Sequence, residues 1–188
     1  RIINYIDKEI MKGDIAEAKL FNPDFIIANM HWGLEYERIP SREQRELADW
    51  LLRQGVDLVI GSHPHVVQPM ELRRGKEGVP DRLVVYSLGN FISNMSREHT
   101  DGGVMVKVVL GRKGLRRYII SAQYSLIYSS RYKNEQGKED IRVVPAASWS
   151  GKNQNSSFSV DSALIKYVNN TRLFLKGNNK EVEEYIFE

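Results

Sequence analysis

Two short apolar runs, each opening with an aspartate, constrain the fold of this 188-residue chain more than any other feature. They cover residues 24–30 and 57–61, and their length and composition predict buried strands. Between them, Ser41 and Gln44 have the spacing of a capping box at the start of a helix, and Gly55 is suited to ending that helix. Strand, helix and strand in this order predict a βα unit that leads into a parallel neighbour, so we expect the two strands to lie side by side.

Beyond residue 65 the apolar residues follow a two-residue period, which favours strands. The segments with this pattern are 66–72, 82–88, 103–110, 115–128 and 141–146. We expect glycine-rich turns at 73–80 and at 111–114, the second of them joining a hairpin. Because no helical pattern interrupts this part of the chain, we expect these strands to be mostly antiparallel.

The two ends of the chain have helical spacing. Residues 2–20 carry apolar side chains at helical intervals, and we expect an interruption near Gly13. The tail predicts a helix over 161–175 and one more turn over 180–185. The residues expected to face inward on the tail helix are Leu164, Val168 and Leu175.

Composition excludes several classes of protein and site. The chain has no cysteine, so disulfides and thiolate zinc sites are excluded, and any metal must be held by nitrogen and oxygen ligands. A net charge of +3 with scattered positive residues does not predict a nucleic-acid partner. No apolar run reaches the roughly 20 residues of a membrane-spanning helix, so we expect this chain itself to be soluble. It starts at Arg1 in the middle of a helical pattern, and we expect an upstream part that holds any export signal or anchor.

Three of the four histidines follow the two apolar runs. His31 comes after the first run, and His63 and His65 come after the second with Pro64 between them. Because the carboxyl ends of neighbouring parallel strands meet at one edge of a sheet, these imidazoles can converge on one metal or on two metals that share a bridging water. The alternative is that they are ordinary histidines of surface loops. The distribution favours the metal site.

Several other residues near these loops are candidates for the site. Glu35 could act as an acid or base or orient a ligand, although an ion pair with Arg38 or Arg42 is an alternative. Trp32 and Asn90 are candidates to contact substrate or support the ligands, and Trp32 is expected to pack beside its loop. Three histidines without a carboxylate also resemble a mononuclear hydrolytic zinc site, but no obvious carboxylate partner is present.

The sequence around these residues resembles the capsule-synthesis protein A family, also called the poly-γ-glutamate synthesis proteins. The resemblance spans about residues 1–110 in order. It rests on residues 31–36, 57–69 and 86–91, together with Pro40 and Gln44. The rest of the chain is similar to the variable tail of that family only loosely.

The resemblance implies a fold and a metal site. The family is similar to the calcineurin-like metallophosphoesterases, so the expected fold is α/β, with a mixed sheet forming the C-terminal half of a metallophosphoesterase-like αββα sandwich. It implies two divalent metal ions of the Mn, Fe or Zn class in the complete protein, with His31 and His63 on one metal and His65 on the other. The first three motifs of that superfamily, which supply bridging and further aspartate ligands and an asparagine–histidine pair, have no counterpart here and would lie before Arg1.

These implications define two functional hypotheses. The first is a capsule or poly-γ-glutamate biosynthesis protein that hydrolyses a phosphate ester or related bond when it is joined to its missing N-terminal segment or a partner chain. The second is a non-catalytic envelope component that binds or exports an anionic capsular polymer. Both hypotheses predict that the protein lies in the cell envelope, outside the cytoplasm, and is anchored by an upstream segment. Both also predict that it works with the capsule-synthesis machinery at the membrane.

The resemblance also suggests how the chain is organised. We expect residues 1–150 to form the C-terminal part of a capsule-synthesis metallophosphoesterase-like domain. Residues 151–188 are expected to add a linker and a C-terminal helix to the same domain, because residues 150–158 are uniformly polar or small apart from their last position. No internal repeat indicates a second domain.

Overall fold

The computed structural model describes residues 5–75, 78–146 and 162–186, which form three helices and eight strands. The helices are α1 (Lys8–Leu20), α2 (Arg42–Gln54) and α3 (Ser162–Asn178). The strands are β1 (Ile27–His31), β2 (Leu58–Ser62), β3 (Met70–Arg74), β4 (Pro80–Val85), β5 (Gly102–Lys113), β6 (Arg116–Lys133), β7 (Glu139–Pro145) and β8 (Glu183–Glu184). Among these residues no helix is both long and apolar enough to cross a membrane.

The first sheet has the strand order β1-β2-β4-β3. β1, β2 and β4 are parallel, and β3 is antiparallel to β4. The register of β1 and β2 pairs Met30 with Gly61 and His31 with Ser62, so both strands end at the same level. The predicted pairing of these two strands is confirmed, and it places the loops that follow them at one edge of the sheet.

The helix between β1 and β2 forms for the reason that the sequence indicates. The Ser41 hydroxyl accepts a hydrogen bond from the Gln44 backbone N–H, and the Gln44 side chain accepts one from the Ser41 backbone N–H. Gly55 ends the helix in the left-handed region with φ 98°, which glycine adopts without strain. Leu47 and Leu51 are buried between α2 and the first sheet.

The second sheet is built on a long hairpin. β5 and β6 pair antiparallel from Gly102–Tyr128 to Lys113–Arg116, and β7 and β8 both pair with β6. The two-residue connection carries Gly114 with φ 61°, the left-handed backbone that such tight turns need. The hairpin predicted around residues 111–114 is confirmed, and its strands continue beyond the predicted ends, β5 to Lys113 and β6 to Lys133.

The main core lies between the two sheets. Leu58, Leu83 and Val85 of the first sheet belong to the same buried cluster as Leu126 of the second. The inward residues predicted for the tail helix, Leu164, Val168 and Leu175, are buried in this cluster. A second cluster packs α1 and α2 on the other face of the first sheet. The architecture is therefore the expected mixed α/β, metallophosphoesterase-like arrangement of sheet on sheet with helices outside the first sheet.

Several predicted boundaries were wrong. α1 runs through Gly13 without interruption, because the Asp7 carboxylate caps its start and a single glycine costs a helix only about 1 kcal/mol. Within the span predicted as residues 66–72, the strand begins only at Met70, whereas β4 begins at Pro80 inside the predicted turn. β4 also pairs parallel with β2, an exception among the strands after residue 65, whose pairs β3–β4, β5–β6 and β6–β7 are antiparallel as expected.

The C-terminal segment likewise differs from the prediction. The expected turn over 180–185 contains β8, which pairs with Gln123 and Tyr124 of β6. Just before it, Lys180 is hydrogen-bonded through its backbone to Met70 and Leu72, which covers the outer edge of β3. The linker predicted over 150–158 lies outside the described residues.

Candidate metal centre

The ends of β1 and β2 bring the predicted histidines together. His31 is the last residue of β1, and His63 follows the last residue of β2. The ring centroids of His31 and His63 are 4.5 Å apart, and those of His63 and His65 are 6.2 Å apart. The parallel register therefore produces one group of three imidazoles at the carboxyl edge of the first sheet.

The loop that carries His63 and His65 has an unusual backbone. Both residues have positive φ angles, 102° and 60°, on either side of Pro64. Such a conformation costs a side-chain-bearing residue about 1–3 kcal/mol and persists only when neighbouring contacts hold it. The Pro64 carbonyl accepts a hydrogen bond of 2.8 Å from the Tyr36 backbone N–H, which ties this loop to the loop after β1. Backbone strain at two histidines that are separated by one residue is typical of a functional loop.

Asn90 determines which ring nitrogen of His65 is free. The Asn90 Nδ2 donates to the Thr100 carbonyl at 2.8 Å, so its Oδ1 is the atom that faces His65. His65 Nδ1 lies 2.9 Å from that oxygen and is therefore the protonated nitrogen of the neutral ring. Nε2 keeps its lone pair, as a metal-ligating histidine held by an outer hydrogen bond does.

Glu35 lies beside the same ring. Its Oε1 is 4.0 Å from His65 Nε2, and its side chain is about half exposed. Arg42, one of the alternative partners, instead binds Glu46 at 2.6 Å. The Tyr36 ring stacks on His65 with centroids 6.2 Å apart, and the Arg97 guanidinium lies 4.0 Å over the Tyr36 ring. His65 thus has a carboxylate, an amide and an aromatic ring around it.

Trp32 lies behind the histidine loops. Its side chain is 4% exposed, and its Nε1 donates to the Tyr86 carbonyl at 2.9 Å. A Cβ atom at Gly61 would lie 2.0 Å from the same carbonyl oxygen and 2.4 Å from Nε1. Glycine at this position is therefore what allows the tryptophan to bridge the ends of β1 and β4.

Two buried glutamines hold the loop after β1, a role that sequence reasoning did not assign. Gln44 Nε2 donates to Gln68 Oε1 at 2.8 Å, and Gln68 Nε2 donates to the Glu37 carbonyl at 2.8 Å. Gly33 lies directly against the Gln44 side chain, where a Cβ would be 2.6 Å from it. Both glutamines fall within the motifs that carry the family resemblance. For Gln68, its polarity in an apolar segment was the available signal.

Other titratable residues lie away from the histidines. Glu71 is buried in β3 and pairs with Arg73 and Lys180. Asp57 accepts a hydrogen bond from the Ile26 N–H at the amino end of the sheet. His99, expected to be a solvated loop residue, is half-buried, and this burial together with nearby Arg38 lowers its pKa.

The imidazole donors fit a first-row divalent metal in chemical type. Neutral imidazole nitrogens suit zinc, manganese and iron. Within residues 5–75, 78–146 and 162–186, however, no three histidine, aspartate or glutamate side chains are already placed as a ligand set. His31 and His63 also line a mainly apolar cavity of about 570 Å³. The three imidazoles are therefore donors of a suitable type, and a cavity lies beside two of them.

Comparison with known proteins agrees with the motifs. Residues 2–95, half of the chain, match the family model of the bacterial capsule synthesis protein PGA_cap. The chain belongs to this family. The matched span contains all the candidate site residues: His31, Trp32, Glu35, His63, His65 and Asn90.

Two curated relatives are similar to more than half of the chain. The PGA biosynthesis protein CapA of Bacillus subtilis (strain 168) is 34% identical over 115 residues, which is 61% of this chain and 28% of that protein. The capsule biosynthesis protein CapA of Bacillus anthracis is 35% identical over 107 residues, which is 57% of this chain and 24% of that protein. The chain spans about a quarter of the length of these relatives.

Proposed function

We propose that this chain supplies part of a dinuclear metal centre that hydrolyses a phosphate ester or related bond during capsule or poly-γ-glutamate synthesis. The observation that carries the proposal is the convergence of His31, His63 and His65 at one edge of a parallel sheet. The names of the two relatives, which refer to capsule and PGA biosynthesis, support the biological setting.

The proposal gives each residue a role. His31 and His63 would hold one metal and His65 the other, as the resemblance implies. Two such ions would supply Lewis acidity, which polarises a phosphoryl oxygen and lowers the pKa of bound water. Asn90 keeps the proton of His65 on Nδ1 and so leaves Nε2 for the metal. Glu35 can hold or release a proton at Oε1, the atom that faces His65.

The remaining ligands would come from outside the described residues. Three neutral imidazoles bring no negative charge, and two divalent cations need carboxylates to compensate theirs. An upstream segment of a longer protein, or a partner chain, is the proposed source. In this setting the assembly would act at the extracytoplasmic side of the cell envelope, with the capsule-synthesis machinery at the membrane.

A second function has an observation in its favour. The described residues hold only an incomplete ligand set, and the relatives' names refer to biosynthesis rather than hydrolysis. This second function is a non-catalytic envelope component that binds or exports an anionic capsular polymer. Such a component would use the same fold but would not need a complete metal site or hydrolysis. Metal content and hydrolysis together separate the two functions.

The test uses a longer protein that contains this chain together with its upstream sequence. Metal is measured by elemental analysis, and hydrolysis is measured with a chromogenic phosphodiester. We expect His63→Ala to lose metal and hydrolysis, and Asn90→Ala to weaken metal binding about 10–100-fold. His99→Ala, a change at the histidine outside the group, is expected to retain both. Acidification should release the metal, because a protonated imidazole cannot ligate.

Each result has a defined meaning. Full metal content in the folded His63→Ala protein would contradict the proposed ligand set. Polymer binding by a protein that holds metal but hydrolyses neither phosphomonoesters nor phosphodiesters would favour the non-catalytic function.

A further inference from the structure

Three large apolar side chains protrude at the end of the molecule opposite the histidines. Leu115, in the turn of the β5–β6 hairpin, is 96% exposed. Leu20 and Phe21, at the end of α1, are 84% and 81% exposed. α1 leads into the amino end of β1, whereas His31 stands at its carboxyl end. Isolated exposed apolar residues are ordinary, but three at one protruding end mark a contact surface.

Basic side chains surround these three residues. The exposed cations are Lys19, Arg112, Lys113, Arg116 and Arg117. We call this surface, made of Lys19, Leu20, Phe21, Arg112, Lys113, Leu115, Arg116 and Arg117, the basic tip. The two parts of the basic tip face each other across an open cleft of about 500 Å³, which both Lys19 and Leu115 line. Asp24, in the same cleft, is paired with Arg112.

The two parts of the basic tip are fixed to each other. Arg112 Nη1 is 2.9 Å from Asp24 Oδ1, and Arg117 Nη1 donates to the Pro23 carbonyl at 3.0 Å. Lys19 Nζ donates to the Gln54 carbonyl at 2.7 Å, which attaches the end of α1 to the end of α2. The surface therefore exists before any partner binds, and binding does not have to order it.

We propose that the basic tip docks on the surface of a bilayer that contains anionic lipids. Leu20, Phe21 and Leu115 would enter the boundary between headgroups and acyl chains, and the cations would contact lipid phosphates. Binding to a soluble polyanion would require only the cations. The exposed apolar side chains beside them favour a bilayer as the partner, because a bilayer can bury them. The proposal does not depend on the function proposed for the histidines.

The test is sedimentation of the 188-residue chain with vesicles. Vesicles of phosphatidylcholine and phosphatidylglycerol should bind the chain, salt should weaken the binding, and phosphatidylcholine alone should bind it much less. Each cation near such a surface strengthens binding about fivefold, so Lys113→Glu, which removes one cation and adds an anion, should weaken it about tenfold or more. Leu115→Ser should weaken it about tenfold as well, because an inserted leucine is lost.

Matched controls use the same changes elsewhere. Leu173→Ser replaces a leucine that is 76% exposed on α3, and Lys138→Glu reverses an exposed charge in the turn at the far end of β6. Both should bind anionic vesicles within about twofold of the parent. All four substituted positions are exposed, so the variants are expected to fold.

Three results would overturn the proposal. The first is equal vesicle binding by Leu115→Ser and the parent. The second is equal loss of binding in Lys138→Glu and Lys113→Glu. The third is absence of vesicle binding by a chain that instead binds soluble polyglutamate through Lys113, which would make the basic tip a polymer surface.

Discussion

Gly61 has no room for a side chain, because a Cβ there would lie 2.0 Å from the Tyr86 carbonyl oxygen. The absence of a Cβ leaves room for the hydrogen bond between Trp32 Nε1 and the Tyr86 carbonyl. The nearest atom to the position of a Cβ is a backbone oxygen, which cannot move aside as a flexible side chain can. We expect Gly61→Ala to lower the free energy of unfolding by about 3 kcal/mol, through overpacking and loss of a buried hydrogen bond. Urea unfolding followed by tryptophan fluorescence measures this change.

Gly13→Ala is the matched control for that substitution. Gly13 lies inside α1 with open space around the position of a Cβ, so alanine should raise stability by about 0.5–1 kcal/mol through its helix propensity. Equal effects of the two substitutions would mean that steric conflict at Gly61 is not the cause.

At the scale of single residues, the sequence allowed the grouping of the histidines to be predicted, but not the contacts that surround them. His31, His63 and His65 were identifiable because they follow the two apolar runs of the sequence, and the parallel register then fixes their proximity. The hydrogen bond from His65 to Asn90 joins residues 25 positions apart, and no local pattern encodes such a contact. The buried glutamine pair likewise depends on where the β2–β3 connection returns to α2.

At the scale of elements, a buried carboxylate fastens the C-terminal segment to the first sheet. Glu71 of β3 is paired with Arg73 at 2.8 Å and with Lys180 at 3.1 Å. We expect Glu71→Gln to lower the free energy of unfolding by about 2 kcal/mol, less than for a fully buried pair because both cations are partly exposed. The amides of residues 179–184 should also exchange faster, as hydrogen-exchange mass spectrometry would detect.

Glu46→Gln provides the comparison for Glu71. Glu46 binds Arg42 on the exposed face of α2, and its loss should leave both stability and exchange unchanged. Unchanged exchange of residues 179–184 in Glu71→Gln would show that backbone pairing with β3 is sufficient to hold the segment.

Elements with strong local signals were predictable, whereas those defined by distant pairing were not. α2 has its capping box and terminal glycine in sequence, and the β5–β6 hairpin has its glycine turn. β8 has only two residues and exists because Tyr124 and its neighbour lie within reach. The parallel pairing of β4 with β2 depends on the order of strands in space, which a two-residue period does not contain.

At the scale of the whole molecule, buried tyrosines limit stability in alkali. Burial raises the pKa of Tyr124 to about 12, and burial also raises the pKa of Tyr86 and of Tyr167. The unfolded chain therefore loses these protons near pH 10 while the folded chain keeps them. The contribution of these neutral hydroxyls to the free energy of unfolding is therefore fully present below pH 10. It is lost as the pH rises toward 12.

We expect the midpoint of urea unfolding to fall between pH 10 and pH 12, with the late tyrosine ionisations seen by ultraviolet absorbance coinciding with unfolding. Tyr124→Phe should reduce that fall, whereas Tyr5→Phe, at an exposed position, should not. A midpoint that falls equally in both variants would assign the alkaline loss to other groups.

One edge strand of the first sheet, β3, is covered by other backbone, whereas the other edge strand, β1, is not covered by any described residue. The backbone of Lys180 occupies the outer edge of β3, while β1, in the part of the chain described, pairs on one side only. An unpaired edge is a template for another strand, and a strand recruited there in parallel would end beside His31. Any extension of this sheet in that direction would therefore place the end of the added strand next to the histidine group.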